Sequence, residues 1–82
     1  MDFTLRGNPF SLTYEAVIAA MRDVPAEPIN RYVVEVGDRV YPPKQVLARS
    51  TGLPPIAFTT QDAYRLLNRL GFSVAPVEKA EG

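Results

Sequence analysis

Residues 32–53 read Tyr-Val-Val-Glu-Val-Gly-Asp-Arg-Val-Tyr-Pro-Pro-Lys-Gln-Val-Leu-Ala-Arg-Ser-Thr-Gly-Leu, and this stretch decides the fold. Tyr32–Val36 is short, β-branched and aromatic, the composition of a strand. Gly37-Asp38 suits a two-residue hairpin turn with glycine first, where φ must be positive. That turn sets Val36 opposite Arg39, Glu35 opposite Val40 and Val34 opposite Tyr41. Val34 and Tyr41 then share one sheet face, and Val33 and Val40 the other. Neither face is cleanly polar, which leaves open either cover on both sides or a different register. Tyr41-Pro42-Pro43 ends the second strand, because proline offers a ladder no N–H. Proline is favoured in the first turn of a helix, so a helix starts at Pro42 or Pro43 and stops before Gly52. Val46 and Leu47 point inward with Pro43 and Ser50 at the margins, while Lys44, Gln45 and Arg49 fall on the outer side.

Towards the N-terminus, Thr13 can cap a helix, with Leu12 and Val17 at the positions of a hydrophobic staple. Tyr14, Val17, Ile18 and Met21 recur at i, i+3, i+4 and i+7 and form its core face. Pro25 closes that helix, and Pro25–Pro28 is a stiff connector. Residues 1–11 read as a lead-in. Phe3–Leu5 alternates as a short strand would, and Gly7-Asn8-Pro9 signals a turn.

Towards the C-terminus, Leu53-Pro-Pro-Ile-Ala-Phe58 is a rigid apolar loop with Ile56 and Phe58 as core plugs. Thr59 or Thr60 caps the next helix, and Asp62 places negative charge in its first turn. Ala63, Leu66, Leu67 and Leu70 make the buried stripe, while Arg65, Asn68 and Arg69 lie outside. Gly71 ends the helix, Phe72-Ser-Val74 alternates as a last strand up to Pro76, and residues 78–82 form a frayed tail. The expected architecture is one α+β domain over residues 12–77. Its element order is helix, strand, strand, helix, helix, strand, and its three-stranded antiparallel sheet is flanked by three helices.

Composition limits the functional classes. With 82 residues, 46% of them hydrophobic and 22% charged, the chain is one small globular domain. It has no cysteine and no histidine, which excludes disulfides and His or Cys metal sites. No apolar run approaches the ~20 residues of a membrane span, and the N-terminus shows no signal-peptide apolar core. A soluble cytoplasmic protein is expected. Net charge is zero, yet between Arg39 and Leu70 five bases (Arg39, Lys44, Arg49, Arg65, Arg69) face one acid, Asp62. Such a local excess hints at an anionic partner, although a charge run also serves as a solvated face.

Catalytic templates find little to match. A nucleophilic triad lacks its histidine base, and no motif supports Lys44 in that role. Glu35 and Asp38 are too scattered for paired-carboxylate or magnesium chemistry. Gly37 and Gly71 are isolated rather than part of a phosphate loop. The expectation is a non-enzymatic chain without a cofactor. Surface recognition remains, with Arg39, Tyr41, Pro42, Lys44, Gln45, Arg49, Arg65 and Arg69 as the candidate nucleic-acid-binding set. Each has a plainer reading: Tyr41 as a core aromatic, Pro42-Pro43 as helix initiation, Arg65 and Arg69 as a solvated helix face. A further reading makes the exposed prolines and Ile56 a protein-docking ridge.

Thr-Tyr-Glu-Ala-Val-Ile-Ala-Ala-Met (13–21), the 32–48 stretch, Thr-Gly-Leu (51–53), Phe-Thr-Thr-Gln-Asp-Ala (58–63) and Leu-Asn-Arg-Leu-Gly-Phe (67–72) occur in one order. In that order the chain resembles, over residues 12–77, a small non-catalytic domain that precedes HNH nuclease modules. Its hosts are bacterial, often actinobacterial, modification-dependent restriction-type proteins. The most specific part is the strand, the glycine turn and Tyr-Pro-x-Lys opening a helix. The resemblance implies DNA binding or sensing of modified DNA, with Tyr41 and Pro42 as an apolar pocket and Lys44 on a phosphate. It also implies that cutting belongs to a partner such as a nuclease, since the chain stops where a nuclease domain would begin. With about four or five phosphate contacts, binding would be modest and strongly salt-dependent.

Overall fold

The computed structural model describes residues 2–5, 7–29 and 31–77. Its elements follow the turn and cap residues closely. Strands β1 (Asp2–Leu5) and β2 (Asn8–Ser11) form a separate antiparallel hairpin. Helix α1 (Tyr14–Ala20) leads to strands β3 (Tyr32–Val36) and β4 (Arg39–Tyr41), then helix α2 (Pro43–Thr51). A single 3₁₀ turn at Pro55–Ala57 precedes helix α3 (Thr60–Leu70) and strand β5 (Ser73–Pro76). The α+β class, the three helices and the three-stranded antiparallel sheet match the sequence-based expectation. The N-terminal hairpin adds a second sheet, so residues 2–5 and 8–11 of the lead-in are strands. Gly7, at φ +81°, sits in its turn, and Phe3 stacks on Phe10 with ring centroids 5.8 Å apart. Pro9 lies inside β2, which a two-stranded sheet allows because each strand has a free edge. The expected tail at 78–82 lies outside the described residues.

The main sheet has the order β4-β3-β5, antiparallel throughout, with Val34 between Tyr41 and Val74. The hairpin register is the expected one, and Gly37 has φ +65°. Val34, Val36 and Tyr41 are buried on one face, while Glu35, Val40, Ser73 and Ala75 are exposed on the other. Cover is therefore one-sided. Val17, Met21, Val46, Leu47, Ala63, Leu66 and Leu67 from the three helices join the inner face in one core with Phe58 and Phe72.

Caps account for the helix ends. Thr13 Oγ1 accepts from Ala16 N–H at 3.1 Å, and Leu12 and Val17 are both buried, as a staple requires. Thr59 and Asp62 form a reciprocal capping box at the start of α3. At its far end, Gly71 N–H donates to Asn68 O and Phe72 N–H to Leu67 O, a Schellman closure with φ +109° at Gly71. A Cβ on Gly71 would lie 3.6 Å from Tyr14 Cδ2, an ordinary contact, so the backbone angle alone resists substitution. Gly71→Ala should cost about 1–3 kcal/mol, with Gly71→Asn milder, as checked by thermal melting. A Gly71→Ala variant that melts with the wild type would refute this assignment.

Three expected placements are corrected. Tyr14 is 44% exposed; it lies over Phe72, with centroids 4.4 Å apart, instead of entering the core. Ile56 is 85% exposed, because the 3₁₀ turn fixed by Pro54 and Pro55 points it outward and only Phe58 plugs the core. Gln45 lies in the interior, where the backbone of the connector gives its amide two partners.

Candidate nucleic-acid interface

The connector after α1 explains much of the Tyr41–Gln45 motif. It follows a turn in which Asp23 adopts φ +62°, and Pro25 and Pro28 keep it out of helix and sheet. Its inward backbone groups, Val24 O, Pro25 O and Glu27 N–H, take side-chain partners instead. Tyr41 Oη donates to Val24 O at 2.9 Å, with Met21 O at 3.4 Å. Gln45 Nε2 donates to Pro25 O at 2.9 Å, and Gln45 Oε1 accepts from Glu27 N–H at 2.9 Å. Arg39 adds a long contact from Nη1 to Val24 O at 3.5 Å. One strand end and one helix turn thus clamp the connector against the core.

The clamp shapes a groove of about 430 Å³ between the connector, the first turn of α2 and the start of α3. Pro42, Lys44 and Gln45 line it together with Glu27, Pro28, Arg31, Tyr32, Pro43, Pro55 and Thr60. Pro42 is the N-cap of α2 without a side-chain cap, and Pro43 follows with no N–H to offer. No acid occupies that first turn, so the positive helix end and Lys44 act in the same sense. Tyr32 is half-buried and meets Tyr64 edge-on at 5.2 Å and 79°. Lys44 and Arg31 form no salt bridge with any described residue, whereas Glu27 contributes one acid at the rim.

The candidate set divides between this groove and other surfaces. Pro42 and Lys44 lie at the groove with their chemistry free, while Gln45 is there as a structural strut. Arg39 and Tyr41 border a second, smaller cleft of about 220 Å³, where Arg22, Asp23 and Asp38 balance the charge. Tyr41 is only 1% exposed, so its ring belongs to the core rather than to a recognition pocket. Arg49, Arg65 and Arg69 are exposed on helix surfaces and line neither cleft. Arg31 and Tyr32 escaped the sequence reading because the basic block was counted from Arg39. They share the groove with Lys44 only in the folded chain, at the start of β3. Among the described residues no cluster of acids could hold a metal, and no helix is long and apolar enough to cross a membrane.

Fold and groove together define a small α+β domain with a proline-lined, cation-edged groove. The chain belongs to the SCO5918-like family, whose model matches residues 1–82. No curated protein and no solved structure matches it.

Proposed function

We propose that this domain is a non-catalytic DNA-binding module, with modified DNA within its scope, whose contact surface is the groove at the start of α2. The observation that carries this reading is the convergence of Lys44 and Arg31, both without a salt-bridge partner among the described residues, on one groove floored by proline and tyrosine. Cations beside an apolar floor suit a phosphate attached to a sugar or base. The Tyr-Pro-x-Lys resemblance to domains ahead of HNH nucleases supports the same partner, with Pro42 and Lys44 retained and Tyr32 in the aromatic role first given to Tyr41. A nuclease is the protein partner this reading favours.

Titration of the purified protein with labelled DNA at low and physiological salt tests this. Unmodified, methylated and phosphorothioated duplexes belong among the probes. Affinity should fall as salt rises, and Arg31→Ala with Lys44→Ala should lower it about tenfold or more and flatten the salt slope by roughly two. Thermal stability should hardly change, because Arg31 is exposed and Lys44 has no hydrogen-bond partner to lose. A double variant that binds like the wild type would remove the groove from the reading.

One observation favours a second reading, a protein-docking domain. Ile56 projects from the exposed Pro54-Pro55 turn. Docking there would resist salt and be lost with Ile56→Asp, whereas DNA binding at the groove would not.

A further inference from the structure

We infer that the groove accepts a single unstacked nucleotide, so that the module prefers unpaired DNA to a duplex. This rests on the DNA-binding reading and narrows it. Tracking a duplex backbone needs several cations placed along one path. Here the cations are dispersed: Lys44 and Arg31 at the groove, Arg39 at a charge-balanced cleft, and Arg49, Arg65 and Arg69 on helix surfaces outside both. The chain's net charge is zero, and Glu27 leaves the groove itself with a single positive excess. A purely electrostatic grip is therefore weak, and affinity must come from apolar contact.

The groove supplies that contact. Tyr32, Pro28, Pro42 and Pro55 present ring surfaces beside the two cations. Such surfaces gain from the face of a base, and a base offers its face only when it is out of the duplex stack. A volume of about 430 Å³ lies in the lower part of the ~300–1,000 Å³ range of ligand clefts. It holds one base with its phosphate and excludes the width of a double helix.

The test compares a labelled oligothymidylate of about twelve nucleotides, a span typical of single-strand sites, with its duplex on oligodeoxyadenylate at low salt. The single strand should bind about tenfold or more tightly, and Tyr32→Leu should weaken single-strand binding more than duplex binding and so remove most of that preference. Because Tyr32 also packs on Tyr64, the melting temperature of that variant is measured alongside. An amide chemical-shift titration of the wild type, which needs no variant, should place the oligothymidylate at Arg31, Tyr32, Lys44 and Thr60. Equal or tighter binding of the duplex, or shifts elsewhere, would overturn this inference while leaving a DNA-binding module. Failure to bind either form would overturn both.

Discussion

Tyr41→Ala should leave the domain largely unfolded near room temperature, while Tyr41→Phe should fold and melt roughly 5–10 °C below the wild type. The two differ in what they remove. Alanine deletes a fully buried aromatic at the end of β4, a loss of about 3–5 kcal/mol for large-to-small core changes. It also leaves Val24 O, which accepts the Tyr41 hydroxyl at 2.9 Å, with the long 3.5 Å Arg39 contact in place of that bond, at about 1–3 kcal/mol. A chain of 82 residues has only about 4–12 kcal/mol in total. Phenylalanine keeps the ring and loses the hydroxyl alone, for about 1–2 kcal/mol. Far-UV circular dichroism melts of the three proteins decide the matter. Tyr41→Ala melting within a few degrees of the wild type would show that the ring is not a core element. On the proposed DNA-binding reading, Tyr41→Phe should bind DNA like the wild type, which separates the core role from the recognition role implied by the resemblance.

The strand pairing was legible because side-chain direction in a hairpin is set by the turn. Gly37-Asp38 fixed the register, and Val34 met Tyr41 as counted. Caps were legible for the same local reason: Thr13, Thr59 with Asp62, Gly52 and Gly71 act within a few residues of themselves. Gln45 was not, because helical periodicity sends a polar residue outward unless a partner is known. Its partners, Pro25 O and Glu27 N–H, lie 20 and 18 residues away. Ile56 was misread because apolarity alone does not bury a residue whose backbone direction is set by a proline turn. The β1–β2 hairpin was half legible: Phe3–Leu5 alternates, but Pro9 argued for a turn where an edge strand runs. The site divided on the same line. Pro42 and Lys44 come from a local strand-to-helix junction, whereas Arg31 and Tyr32 come from the start of β3, held by its pairing with β5.

That dependence makes Gln45 the second test. Gln45→Leu keeps roughly the volume in the core and deletes both amide contacts, leaving the part-buried Pro25 O and Glu27 N–H without this partner. The expected cost is about 2–4 kcal/mol, since each stranded group loses about 1–3 kcal/mol and the connector can relax towards water. On melting, the variant should fall roughly 10–20 °C below the wild type. The effect should also be local. In native-state hydrogen exchange the Glu27 amide should lose its protection in Gln45→Leu, while the amides of β3 keep theirs up to the lowered global stability. Gln45→Glu adds a sign. The introduced carboxyl can donate to Pro25 O only when protonated, so burial favours its neutral form and raises its folded pKa above the ordinary glutamate value of about 4.3. Below that value both folded and unfolded states hold the proton and the variant should approach wild-type stability. As pH rises above it, the unfolded state ionises first and stability should fall relative to the wild type. Because the connector forms one wall of the groove, both substitutions should also weaken DNA binding under conditions where the protein is still folded. Retained Glu27 protection in Gln45→Leu, or a pH-independent deficit in Gln45→Glu, would show that the connector is held by something other than this side chain.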